Sequence, residues 1–362
     1  MLSAILKRKQ DALAPNEAAE STGLWQLAMR RLKRDRIAMF CFWIVIFYLV
    51  MIGLSMTGLI AKNWNQEVAV SYAPPSFMDV AAPTAVDGGT QSTVSSAEQG
   101  ICHPIDMYGV TDPLAADMAA INAELGGQLL EQKSELKESL VFGADKWGQD
   151  IILKTIKGAE TSILVGLIAA FLSVTIGTVL GAISGYFGGW VDDVLNWFYN
   201  IFTSIPYLLL VLAIAAVLQQ KGVLSIVLIL GLTGWTGVFR LVRAEYMKHT
   251  AREYVLAAKA IGVSHTRRMF VHIFPNVSHI ALVQLSILAV AFIKSEVILS
   301  FLGFGVPVGV VSWGSMLNEA QSELILGKWW QLVAASVAMA VLVTAFSMFT
   351  DALRDALDPK LK

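Results

Sequence analysis

The sequence predicts an all-α integral membrane protein with six transmembrane helices, and three observations carry that reading. The 362 residues are 56% hydrophobic, with a mean hydropathy of +0.61. Charged residues make up 15%, against about 25% in ordinary soluble domains. Long apolar runs recur along the chain, and a helix needs about 20 apolar residues to cross a bilayer. A soluble chain of this size charges its surface, whereas this one is composed for lipid as solvent.

The runs predict spans at Ile37–Ile60, Ser162–Gly185, Thr203–Leu218, Val223–Phe239, His279–Gly303 and Leu332–Thr350. The third and fourth are short, and Lys221-Gly222 reads as the tight turn between them. The first run follows a charged leader and is too long for a signal core, so it reads as an uncleaved span. Cys41 lies in that run and Cys102 in a polar loop, which argues against a disulfide between them.

Lysine and arginine accumulate on the cytoplasmic side of membrane proteins. They cluster in the leader (Arg30, Arg31, Lys33, Arg34, Arg36), between spans four and five (Arg240, Arg243, Lys248, Arg252, Lys259, Arg267, Arg268) and at the end (Arg354, Lys360, Lys362). Six spans put all three segments on one face, with both termini cytoplasmic and segment 61–150 outside. That outer segment has no arginine. The loop Tyr186–Asn200 runs against this pattern: it belongs inside, yet carries Asp192 and Asp193 and no lysine or arginine. The expected layout is therefore a cytoplasmic leader (1–36), a first span (37–60), an extracytoplasmic insertion (61–150), a core of five further spans (151–350) and a cytoplasmic C-terminus (351–362). Within the insertion, Pro74–Gly100 reads as irregular and Leu114–Leu140 as two short helices broken at Gly126-Gly127. A small cap and a mobile insertion are both compatible with that composition.

In span two, Ser173, Gly177, Gly181 and Gly185 fall four apart, on one helix face. Small residues at this spacing admit a close backbone neighbour. Tight helix packing is the preferred reading over a substrate-lining role. Span five carries Lys294 and Glu296, about 200° apart around a helix and so on different faces. A lysine at that depth costs on the order of 3 kcal/mol on insertion scales and is expected to face protein or a wet cavity. Lys294 and Glu296 are the pathway candidates; snorkelling of Lys294 to the interface is the alternative.

The segment between spans four and five, 241–278, is the most informative. Helix-forming residues run from Glu253 to Ile261, and Gly262 stands where a left-handed C-cap belongs. Ala257, Ala258 and Ala260 form a small-residue face that fits a groove on another protein, and Pro275 is expected to break the chain before span five. A short helix held between two spans suits the passage of motion between a soluble partner and the membrane. An ordinary surface helix with a glycine stop is the other reading.

At this point the chain resembles the permease subunits of ABC importers, specifically the dipeptide/oligopeptide group. The group's signature is Glu-Ala-Ala, three residues, Gly, nine residues, then Ile-x-Leu-Pro. Here Leu256-Ala257-Ala258, Gly262 and His272-Ile273-Phe274-Pro275 stand at that spacing. Phe142-Gly143-Ala144-Asp145 with Gly148 and Asp150, Gly185-Tyr186-Phe187-Gly188-Gly189, Ser300-Phe301-Leu302-Gly303 with Ser312-Trp313-Gly314, and the ending Leu353–Pro359 are similar too. Leu256 replaces the signature glutamate, Phe274 replaces a leucine, and Lys294 stands where an apolar residue is usual. The resemblance implies a type I importer permease core in a bacterial inner membrane. It also implies a coupling role for Glu253, Leu256, Ala257, Ala258, Gly262 and Pro275. The partners implied are a homologous second permease, two cytoplasmic ATPase subunits and an extracytoplasmic binding protein.

The chain contains no Gly-x4-Gly-Lys-Ser/Thr phosphate loop, so ATP hydrolysis is expected from partner subunits. No catalytic residue, metal site, cofactor or nucleic-acid partner is indicated. The rival classes are an intramembrane enzyme, which needs polar chemistry inside the spans, and a secondary transporter, which favours internal repeats or interrupted helices. Within the resembling group, a peptide is the expected solute, with nickel, a sugar or a toxin as alternatives.

Overall fold

The computed structural model describes residues 32–78, 136–218, 222–307 and 309–357. Cys102, the part of the expected irregular stretch Pro74–Gly100 beyond residue 78, the expected break at Gly126-Gly127 and Lys221 of the expected Lys221-Gly222 turn lie outside them. Of the second helix expected to reach Leu140, residues 136–140 are described and are not helical: Lys137 and Leu140 form isolated bridges to Ala69 and Pro75.

Among the described residues the chain is helical, and its strand pairing is confined to isolated bridges. Helix α1 is Arg36–Met56 and α2 is Ile151–Phe187. Gly189–Ser204 and Tyr207–Leu218 are α3 and α4, and Val223–Thr233 and Thr236–Thr250 are α5 and α6. Glu253–Ala260 is α7 and His265–Arg267 is α8. A π-helical turn, Arg268–Ile273, then leads into α9, Phe274–Phe301; α10 is Trp313–Ile325 and α11 is Trp330–Leu357. Five helical stretches are long and apolar enough to cross a membrane, and a bent pair makes a sixth.

Local chemistry starts these helices. The Asp35 carboxylate accepts from the backbone N–H groups of Ile37 and Ala38, and that of Asp150 accepts from Ile152, as N-caps do. Ser312 and Ser315 form a reciprocal capping box at the start of α10.

Several expected boundaries are corrected. Span two begins eleven residues before Ser162, because the polar turns around Lys154, Lys157 and Glu160 stay helical. At 37 residues, α2 is about 55 Å long, well beyond the roughly 30 Å hydrocarbon layer. Span three is not one helix from Thr203. It breaks at Ile205-Pro206, where α3 and α4 meet at 86°. Ile205 is extended, the conformation forced on a residue before proline. Pro275 does not break the chain either. It occupies the first turn of α9, and the stretch His265–Phe301 is continuous. A first-turn proline lacks only an N–H that the helix leaves free, and the preceding π turn widens the backbone ahead of it.

The glycine face of α2 lies against α5 and α6. A Cβ on Gly177 would stand 2.6 Å from Val238 Cβ, and one on Gly181 2.8 Å from the Phe239 carbonyl oxygen. The Ser173 hydroxyl donates to the Gly231 carbonyl at 2.7 Å. Helix α1 lies on α11 through Cys41, Val45 and Ala345.

At the other end of α2, Ala69, Ala73, Leu140 and Ala144 form a small core of their own. It is tied to the helices by the Trp330 indole, which donates to the Ala144 carbonyl at 2.7 Å. A buried ionic cluster sits beside it. Lys154 Nζ lies 2.6 Å from Asp145 Oδ2 and 2.7 Å from Glu319 Oε2. Asp145 also accepts from the backbone N–H groups of Trp147 and Gln149, so its charge is fully compensated.

Candidate coupling site

The segment expected to be a loop, 241–278, is mostly helical. Helix α6 carries on to Thr250, two residues turn, and α7 begins at Glu253. Its first turn holds an acidic side chain, Glu253, and its last a basic one, Lys259, both favourable to the helix dipole. Gly262, just past the end, has φ +79°, the left-handed conformation that stops a helix at low cost only in glycine.

What fixes α7 is one inward face. Val255 and Ala258 are buried, Val255 among Val242, Tyr246, Met269, Ile273 and Val277. This corrects the expected docking face. Ala258 is 6% exposed within its own chain and cannot present itself to another protein. The outward face consists of Leu256, 52% exposed, with Glu253, Tyr254, Ala257 and Ala260. Helical spacing explains the division: Val255 and Ala258 are three apart and share a face, while Leu256, Ala257 and Ala260 lie around the remainder.

Polar contacts hold the helix from both sides. Tyr254 Oη is 2.8 Å from His249 Nδ1 in α6, and Asn276 Nδ2 in α9 reaches it at 3.4 Å. One phenol therefore touches both membrane-spanning helices that flank α7. Deeper in, the Tyr246 hydroxyl donates to the Met269 carbonyl at 3.2 Å. The end of α2 is joined to the same assembly: Tyr186 Oη lies 3.1 Å from His265 Nδ1, Phe187 stacks on His265, and the Arg268 guanidinium stands over the Tyr186 ring.

The acidic loop that ran against the charge pattern is accounted for here. Asp192 takes a two-pronged contact from Arg243, Nε to Oδ1 and a terminal nitrogen to Oδ2, each at 2.6 Å. Ser184 and Asn196 also hydrogen-bond to Asp192. The carboxylate is neutralised by a cation of the neighbouring basic segment. Sequence reasoning missed Tyr254, His249, Asn276 and this pair. The Gly185-Tyr186-Phe187-Gly188-Gly189 stretch was the available signal, but it does not name its partners.

The pathway candidates are separated. Lys294 is exposed on the surface of the chain, whereas Glu296 is fully buried and accepts from the Ser300 hydroxyl at 2.7 Å. Nothing brings the two together.

A family model described as the binding-protein-dependent transport system inner membrane component matches residues 177–362, the stretch that includes the whole of this assembly from Gly177 onward. The chain belongs to that family. A second model, the N-terminal transmembrane domain of oligopeptide transport permease C, matches residues 23–75. A dipeptide transport system permease protein of Bacillus subtilis is 36% identical over 221 residues, 61% of this chain and 69% of the relative. An oligopeptide transport system permease protein of the same organism is 37% identical over 221 residues, 61% of this chain and 72% of the relative. A dipeptide transport system permease protein of Lactococcus lactis is 30% identical over 352 residues, 95% of this chain and 92% of its own length. This member of the inner membrane component family is thus a multi-pass permease subunit of a transport system, and its helices supply the membrane spans such a component needs.

Proposed function

We propose that the chain forms half of the translocation pathway of an ATP-driven peptide importer and transmits motion to it from separate cytoplasmic ATPase subunits through α7. One observation carries the coupling part. A short helix is clamped by Tyr254 between α6 and α9, while Leu256, Ala257 and Ala260 beside it on the outward side are left open. A displacement of α7 by a docked partner therefore reaches two spanning helices directly. The names of the relatives support peptides as the solute.

In this reading the basic segments and both termini are cytoplasmic, and the Ala69–Ala144 core and α10 face outward. A second, homologous permease covers the exposed faces of the spans, Lys294 among them. An extracytoplasmic binding protein delivers the peptide. Glu253, Leu256 and Ala257 contact the ATPase, with Gly262 and Pro275 fixing the exits of the segment. Leu256 makes that contact more apolar than the glutamate of the resembling signature.

Reconstitution with the sister permease, the ATPases and the binding protein tests the proposal. Radiolabelled dipeptide should accumulate in proteoliposomes only with ATP. Accumulation driven by an ion gradient without ATP would show a secondary transporter, and uptake of nickel in place of peptide would reassign the solute.

A further inference from the structure

On the same end of the molecule as α7, the last turn of α11 and the early turns of α9 enclose a recess of about 280 Å³. Its lining is apolar at Leu241, Ile280, Val283 and Leu357 and polar at Arg354, His279 and Gln284. None of the residues lining it is acidic. Arg354 forms no ion pair or hydrogen bond among the described residues; Asp351 and Asp355, near it on α11, are exposed and do not line the recess.

The depth of this recess in the bilayer follows from two independent helices. At 1.5 Å per residue, His279 lies about 33 Å along α9 from Phe301, and Arg354 about 36 Å along α11 from Trp330. The hydrocarbon layer is about 30 Å thick. With Phe301 and Trp330 placed at the outer boundary, as in the orientation proposed above, both side chains fall just beyond it, at the level of lipid phosphates, while Ile280 and Val283 lie toward the acyl chains.

We propose that this recess binds the headgroup of one anionic phospholipid. The phosphate sits on the Arg354 guanidinium, whose fork of N–H donors matches phosphate oxygens, with His279 beside it. The first acyl carbons cover Ile280 and Val283. A half-apolar lining at the membrane boundary suits a lipid and offers a free inorganic anion only part of its contacts. Basic pockets between transmembrane helices on the cytoplasmic side bind acidic headgroups for the same reason. The site joins α6, α9 and α11, so an occupied recess ties the last span to the helix that follows the coupling segment.

The test is native mass spectrometry of the full chain, titrated with phosphatidylglycerol or phosphatidylcholine. The wild-type chain should hold one phosphatidylglycerol about tenfold more tightly than phosphatidylcholine. Arg354→Gln should abolish that preference, and Arg354→Lys, which keeps the charge and serves as the folding control, should retain part of it. Millimolar inorganic phosphate should not displace the lipid. Equal retention of the two lipids by the wild-type chain, or an undiminished preference in Arg354→Gln, overturns the proposal. Displacement by phosphate would show a free-anion site, and displacement by added ATPase subunits would reassign the recess to a protein contact; either result also overturns it. None of these readouts requires transport, so the proposal fails or stands separately from the importer reading.

Discussion

Asp192 and Arg243 stand 51 positions apart in sequence and meet through two 2.6 Å contacts. They staple α3, the first arm of the bent span, to α6, which leads into α7. With 13% and 26% of the two side chains exposed, the pair is neither a loose surface bridge nor a deeply desolvated one. Arg243→Gln should destabilise the folded chain by about 1.5–3 kcal/mol, the range for a charged hydrogen bond. Adding Asp192→Asn should cost little more, because the orphaned carboxylate is then gone. Thermal unfolding in detergent measures both; strictly additive losses would show that the two residues act independently.

Two helical glycines give opposite results on gaining a methyl group. Gly181→Ala places a Cβ 2.8 Å from the Phe239 carbonyl, so α2 and α6 must part, at a cost of about 1–3 kcal/mol. Gly53→Ala in α1 meets nothing within 4 Å. It should be neutral or should stabilise by up to about 1 kcal/mol through helix propensity. Unfolding midpoints of the two variants decide the matter, and similar losses in both would contradict close α2–α6 packing.

Glu323, in α10, is fully buried with neither carboxylate oxygen hydrogen-bonded among the described residues. Burial pushes its carboxyl from 4.5 up to about 7; Lys154 opposes the rise, and Asp145 and Glu319 add to it. Because the folded value lies above the unfolded one, the folded chain holds a proton that the unfolded chain has lost between those two values. The resulting stabilisation is fully present below pH 4.5 and is lost as pH rises through 7. Glu323→Gln stays neutral throughout. It should match the wild type near pH 4 and exceed it at pH 8 by at most about 3 kcal/mol. Parallel pH profiles for wild type and variant would rule out this titration.

Most of the spans and helix α7 were legible in the sequence because their signals are local: apolar length, helix-forming runs, a glycine stop. What stayed hidden depends on partners distant in the chain. Alanines 257, 258 and 260 look alike in a row, and only the docking of Val255 on Val242 and Met269 decides that Ala258 turns inward. The bend at Pro206 was overlooked because the apolar run continues through it. Nothing local marks Lys154 in the sequence, because Asp145 and Glu319 meet it only in the fold.

Lys294 is exposed on the isolated chain at a depth where contact with lipid costs on the order of 3 kcal/mol. If the sister permease or a wet pathway covers it, Lys294→Met should leave the amount of folded protein unchanged while altering peptide uptake or solute range. Uptake assays across a dipeptide panel check this. Unchanged uptake and range would support snorkelling to the interface.

Co-purification of the ATPase subunits with α7 variants tests the coupling claim most directly. Ala257→Arg, on the open face, should leave the permease pair intact and stably inserted but abolish ATPase retention and uptake. Ala258→Arg, on the buried face, should instead destabilise the permease itself. If Ala257→Arg retains its ATPase subunits and transports peptide at the wild-type rate, α7 is a plain surface helix and the coupling role assigned to it is wrong.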